Sequence, residues 1–192
     1  MSLLSDAPDV YVLVNFATPV VRALRVHDPD AEAHLAALGI TAAMLETPSS
    51  RLPHATWVAL LELGCEVTKD PGFGMVAATM VEDTAMDLGH YLAGDRPTLR
   101  KVFMQLSPFL PAFHGGVQIA LDEDAALTRC RFAFDGLASP PALMEYIIAR
   151  SLTLGRRMLG DWYRAPLRVD FRHRRAISLA RYEAMLGAPV RF

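Results

Sequence analysis

The hydrophobic pattern of this chain changes period at Gly115-Gly116, and that change constrains the fold more than any other feature. Upstream, apolar residues recur every three or four positions. Val58, Leu61 and Cys65 follow Pro53, and Leu99, Val102, Phe103, Leu106, Leu110 and Phe113 follow Pro97. That is the spacing of one helix face, with Pro108 and Pro111 expected to kink or end the second helix. Downstream, Val117, Ile119 and Leu121 alternate with Gln118 and Ala120; after an Asp122-Glu123-Asp124-Ala125 turn, Thr128, Cys130, Phe132 and Phe134 share one face of a return strand. Alternation of this kind predicts a half-exposed hairpin.

The remaining segments follow from their punctuation. The first half reads as helical, beginning with an apolar stretch from Val10 to Val26. Short helices are expected from Asp30 to Leu38, ended by Gly39, and from Thr41 to Leu45, ended by Pro48. Pro53 opens a helix to about Val67, Asp70-Pro71-Gly72 stops it, and a further helix should run from Gly72 to Val81. Pro140-Pro141 opens a long helix to about Leu159, and Ser178 caps a short one that Gly187 ends. Leu167, Val169, Phe171 and His173 alternate with charged residues as a strand would, and Val190 to Phe192 begins an extended segment without an evident partner. The order predicts an α+β domain: a helical N-terminal half packed with an antiparallel sheet, a hairpin plus further strands, covered by helices.

At 192 residues, 52% of them hydrophobic, the chain reads as one domain over residues 1–192 with a sizeable core. No apolar run reaches the roughly 18 residues of a membrane span. Asn15, Arg22 and Arg25 interrupt the best candidate. The N-terminus lacks a cationic segment before an apolar one, and Cys65 and Cys130 stand isolated, so a reducing cytoplasm is expected. Charge is uneven. From Arg150 onward ten arginines face three acids, whereas the first 149 residues hold nine bases and eighteen acids. A basic third suits either an anionic partner or a solvated face balancing the acidic part.

Most catalytic signatures are missing. There is no G-x-S-x-G elbow, and Gly72-Phe73-Gly74 follows no strand, which disfavours a phosphate cradle. His27, Asp28, Asp30, Glu32 and His34 form one suggestive patch, but Pro29 breaks its geometry and a capped acidic helix start explains it better than a metal. His54, His90, His114 and His173 are scattered. Two alternatives stay open: a small enzyme with His90 or His114 as base beside an arginine clamp, and a haem or gas sensor using one histidine. The spacing itself calls for neither a cofactor nor a metal.

The helix from Ala142 to Leu159 is the most informative segment. Leu143, Met144, Ile147, Ser151, Leu154, Gly155, Met158 and Leu159 cover a broad apolar sector, and Tyr146, Arg150 and Arg157 lie along its edge. Guanidinium groups beside apolar surface can hold a carboxylate or phosphate while the core side accepts a hydrophobic body. With Phe109, Phe113, Phe132 and Phe134 these three residues form the candidate ligand site. The competing reading leaves the arginines extended from the core boundary into water and the aromatics as plain core.

Four segments resemble a known family. They are Gly39-Ile40-Thr41-Ala42-Ala43-Met44-Leu45 with Pro48-Ser49-Ser50-Arg51-Leu52-Pro53, Thr68-Lys69-Asp70-Pro71-Gly72-Phe73-Gly74-Met75, Thr98-Leu99-Arg100-Lys101-Val102, and Pro166 to His173 followed by Tyr182 to Phe192. In order and spacing they look like the N-terminal effector ("arabinose-binding") domain of bacterial AraC-type transcriptional regulators. The resemblance implies a small-molecule effector, a homodimer, and DNA contacted only through a C-terminal helix-turn-helix domain that would follow Phe192. It implies no membrane and no enzymatic activity. No sugar-binding constellation can be read from the residues, so the effector's identity is left open. Arg168, Arg172, Arg174 and Arg175 would lie near the DNA-binding part, either docking it or forming a solvated strand face.

Overall fold

The computed structural model describes residues 10–81, 98–124, 127–134 and 136–192. The expected first helical turn at Pro97, and His90, lie outside the described residues. The chain opens with strand β1 (Tyr11–Leu13) and a short 3-10 turn, followed by helices α1 (Thr18–His27), α2 (Ala31–Ala37) and α3 (Ala42–Glu46). Strand β2 (Arg51–Pro53) leads into α4 (His54–Thr68) and α5 (Phe73–Ala77). The second part comprises α6 (Leu99–Leu106), α7 (Leu110–Phe113), strands β3 (Val117–Glu123) and β4 (Thr128–Phe134), α8 (Pro141–Leu159), β5 (Val169–Asp170), α9 (Leu179–Leu186) and β6 (Val190–Arg191). The architecture is helix-rich α+β, as the two periodicities predict.

Local signals placed most helices. Thr41, Thr98 and Ser178 each accept a backbone N–H with the side-chain oxygen at an N-cap, satisfying a donor that the first helical turn leaves open. Gly187 ends α9 in the left-handed region at φ +68°, a conformation with no steric cost for glycine. Pro108 and Pro111 break the helical run, giving α6, a 3-10 turn and α7. The hairpin has the expected register, with Ile119 opposite Phe132 and Val117 opposite Phe134. On β4, Cys130 and Phe132 are half-buried and Phe134 is buried, while Arg129 and Arg131 are exposed.

Several boundaries differ from the sequence reading. Tyr11–Leu13 is a strand rather than the start of a helix, and it pairs antiparallel with Arg51–Pro53. Val12 and Leu52 face each other there, both fully buried. Three residues are too few to display a period of two, so neither strand was visible as a pattern. The helix expected from Gly72 to Val81 covers only Phe73–Ala77. The alternation from Leu167 to His173 yields a strand only at Val169–Asp170, and Leu167 is exposed. That strand supplies the missing partner for the chain's last residues: Val169 pairs with Val190, and Asp170 with Arg191, in parallel.

Helix α8 is the central element. Apolar residues occupy more of its circumference than one face requires, and it packs against α4, α5 and α9. Gly74 lets α5 approach: a Cβ there would sit 2.5 Å from the Ala142 carbonyl oxygen. Beneath this contact a continuous core runs from Val12 to Val190 and includes the fully buried Trp57, Tyr146 and Tyr182.

Candidate functional site

A cavity of about 100 Å³ lies between α8 on one side and α6, α7 and the β3–β4 hairpin on the other. That is several times the roughly 10–15 Å³ one water needs. Apolar side chains dominate its wall. Leu99, Val102 and Phe103 come from α6, Val117 and Ile119 from β3, and Leu154 from α8. The Phe103 and Phe132 rings meet edge to face at 5.6 Å, joining α6 to the hairpin. Among the described residues, only Trp57, His114, Arg150 and Ser151 are lining residues with polar side chains.

Arg150 is 8% exposed, unusual for a guanidinium. Its Cζ lies 4.3 Å from the centre of the Phe16 ring, a cation–π arrangement. Tyr146, one turn earlier on α8, is fully buried; its hydroxyl donates to the Phe16 carbonyl at 2.6 Å and lies against the Arg150 guanidinium. Burial pushes the Tyr146 phenol up to about 12, so the hydroxyl stays neutral at any physiological pH. Among the described residues no carboxylate pairs with Arg150, and its Nε has no hydrogen-bond partner. The Trp57 Nε1 is likewise buried without an acceptor. Two residues of the cavity wall thus each carry a buried N–H donor with no acceptor among the described residues, at a cost of about 1–3 kcal/mol each.

His114 is 2% exposed and completely engaged. The Gly116 N–H donates to its Nδ1 at 3.0 Å, so the neutral ring carries its proton on Nε2. That proton goes to His54 Nδ1 at 2.9 Å, and His54 Nε2 in turn donates to the Ala138 carbonyl at 2.7 Å. Burial, and the neighbouring His54, push His114 down to about 4. Both rings serve structure. His114 has no free nitrogen for a substrate proton, and the alternative base, His90, is not described.

The structure distributes the sequence candidates as follows. Arg150, Phe132 and Phe134 line the cavity. Tyr146 stands behind Arg150. Arg157 points elsewhere and donates to the Val81 carbonyl at 2.7 Å. Phe113 packs against Phe16 outside the lining, and Phe109 is 54% exposed. Phe16, Trp57 and His114 are lining residues absent from the candidate set. A lone Trp on an apolar helix carries no signal of this role, because what places Trp57 there is packing with residues distant in sequence. The acidic patch near His34 is occupied internally: His34 Nδ1 lies 2.7 Å from Asp28, and Arg25 pairs with Glu32 at 2.6 Å. No group of three metal-ligating side chains occurs among the described residues.

On the side of α8 away from the cavity, Glu145 is 1% exposed. The Tyr182 hydroxyl donates to its Oε1 at 2.6 Å and accepts the Ala176 N–H at 3.2 Å. Burial pushes the Glu145 carboxyl up, partly countered by Tyr182 and by His173 3.7 Å away. Phe192 closes this cluster, its ring 4.8 Å from Tyr182 and stacked on Phe171 at 5.6 Å. Arg156 donates to the Leu186 carbonyl, fixing the end of α8 to the end of α9. One helix thus carries cavity residues on one face and with the other holds α9, which in turn contacts β6.

Residues 29–192 match the sequence profile of the arabinose-binding domain of AraC transcription regulators, N-terminal. The chain belongs to this family. Its match covers every element from α2 to β6 and so includes both the cavity and the C-terminal cluster. No curated protein matches the chain. An AraC-type ligand-sensing regulatory domain agrees with a site built of a largely apolar cavity and a buried cation. No described helix of this AraC-type domain is long and apolar enough to cross a membrane.

Proposed function

We propose that this AraC-type domain is an effector receptor: a small molecule enters the cavity between α8 and the hairpin, and α8 passes occupancy to the C-terminal segment. An attached DNA-binding domain, reached through that segment, reads the result. A homodimer, a cytoplasmic location and the absence of catalysis belong to the same reading. The observation carrying it is the double engagement of α8. Arg150, Ser151 and Leu154 face the cavity. Glu145 and Arg156 hold α9 and its neighbours on the other side. A ligand that favours one position of α8 must, by linkage, favour the matching arrangement of the segment behind it.

The family's name carries arabinose, and the pentose is the natural first probe. The lining supports a different kind of effector, because a sugar needs both donors and acceptors for each hydroxyl and this wall is nearly all apolar. The test is a thermal-shift screen of small metabolites followed by hydrogen exchange on each hit. Leu154→Trp, which fills the cavity, should abolish binding. Exchange should slow in residues 99–110 and 117–134 and also, away from the ligand, in α9 and β6. Ligands indifferent to Leu154→Trp, or protection that stops at the cavity, would refute the reading.

A further inference from the structure

We infer that the cavity selects a compact apolar molecule with a single carboxylate, whose oxygens take the Arg150 guanidinium and the Trp57 indole N–H. The inference rests on the receptor reading above and names the chemistry of its ligand.

The argument starts from what the lining can and cannot offer. His114 contributes ring surface only, since Gly116 and His54 occupy both of its nitrogens. Among the described lining residues the buried atoms still open are donors, Arg150 Nε and Trp57 Nε1, and the half-buried Ser151 hydroxyl is the one further group that can accept. A ligand group that only accepts satisfies them, and one that also donates leaves its own hydrogens facing Leu, Val and Phe side chains. With Ser151 the one described acceptor, the wall disfavours amides, amines and polyols and favours an anion.

Charge narrows the choice. Arg150 is the one cationic residue among the described lining residues, and no described carboxylate neutralises it. A monoanion balances it, whereas a dianionic phosphate would bring a second charge into an apolar wall at substantial desolvation cost. Geometry agrees. Tyr146 and the Phe16 ring hold the guanidinium in place. A planar fork held this way matches a carboxylate in two parallel hydrogen bonds. The rest of the ligand meets Phe103, Phe132 and Leu154, so it is a short alkyl chain or a single ring.

The experiment uses benzoate and hexanoate, their amides and alcohols, and L-arabinose, each titrated into the domain by calorimetry. Fluorescence of Trp57, isolated by Trp162→Phe, reports whether the indole is contacted. The acids should bind at least about ten-fold more tightly than the matched amides, and Arg150→Gln should collapse that preference while Arg150→Lys keeps part of it. If Arg150→Gln does not fold, the acid-to-amide ratio in the unmodified domain decides alone. Equal binding of acid and amide, abolished together by Leu154→Trp, would overturn the anion inference and leave the receptor intact. Failure of every acid to bind also overturns it. The receptor reading falls separately, when the wider screen yields no ligand sensitive to Leu154→Trp.

Discussion

Nδ1 of His54 lies 2.9 Å from Nε2 of His114, and the two rings complete a hydrogen-bonded chain from the Gly116 amide to the Ala138 carbonyl. The chain pins the first residue of α4 to the start of the hairpin and to the segment leading into α8. Every link depends on neutral rings. A proton on His114 Nδ1 would face the Gly116 N–H, donor against donor.

Acid should therefore loosen this corner. His114 sits at about 4 in the folded domain and near its ordinary 6.5 in the unfolded chain. Between those values the unfolded chain binds more protons, so the contribution is complete above pH 6.5 and is lost as pH falls towards 4. At most it amounts to about 3 kcal/mol. Melting temperatures between pH 7 and 4.5 should decline, and His114→Gln, although less stable at neutral pH, should decline less steeply. Parallel curves for the two proteins would show that His114 does not titrate as described.

Lys69 ends α4 in the left-handed region, at φ 53°, the only described non-glycine residue with positive φ. Its amide still caps the helix by donating to the Glu66 carbonyl, and Asp70 N–H reaches back to Cys65. A side chain costs about 1 kcal/mol in that conformation. Lys69→Gly should raise stability by roughly 0.5–1 kcal/mol in urea unfolding, despite the extra freedom glycine gives the unfolded chain. A loss would mean that the Lys69 side chain contributes more than its backbone costs.

Gly74 tests how closely α5 and α8 meet. A methyl group there would lie 2.5 Å from the Ala142 carbonyl oxygen, a backbone atom that cannot rotate aside. Gly74→Ala must separate the two helices, and a cost of about 2–3 kcal/mol is expected from overpacking. Gly39→Ala is the comparison. Nothing lies within 4 Å of that Cβ, but φ is +72°, so only the backbone penalty of about 1 kcal/mol applies. Equal costs for the two would show that α5 gives way easily.

These positions also show what a sequence can display. The boundaries of α8 and α9 were legible because Pro140-Pro141, Ser178 and Gly187 act through their own backbones. The hairpin faces were legible because seven-residue strands show several alternations. Arg150 was legible as a cation beside an apolar sector, but its burial was not, since that depends on Phe16 and Tyr146 closing over it. The pairing of His54 with His114 joins residues 60 apart, and that of Glu145 with Tyr182 joins residues 37 apart, with no periodic signal at either end. Arg157 shows the converse. It shares the edge of α8 with Arg150, yet backbone carbonyls at Val81 and Thr79 draw it away from the cavity.

Tyr182 is where the receptor reading and the stability of the fold meet. Its hydroxyl donates to the buried Glu145 and accepts from Ala176, so Tyr182→Phe keeps the ring but strands a carboxylate oxygen and an amide. Leaving two buried polar groups without a partner should cost about 2–4 kcal/mol, more at neutral pH than in acid. The pH dependence follows from Glu145, whose carboxyl burial pushes up. Without the Tyr182 donor its charged form loses support, and the carboxyl shifts further upward. Binding in the cavity should survive, because Arg150 and Trp57 lie on the opposite face of the core contact. What should weaken is the ligand's effect on the C-terminal segment, read as hydrogen exchange in β6 with and without ligand. If β6 responds to ligand as strongly in Tyr182→Phe as in the unmodified domain, the signal does not travel through this face of α8.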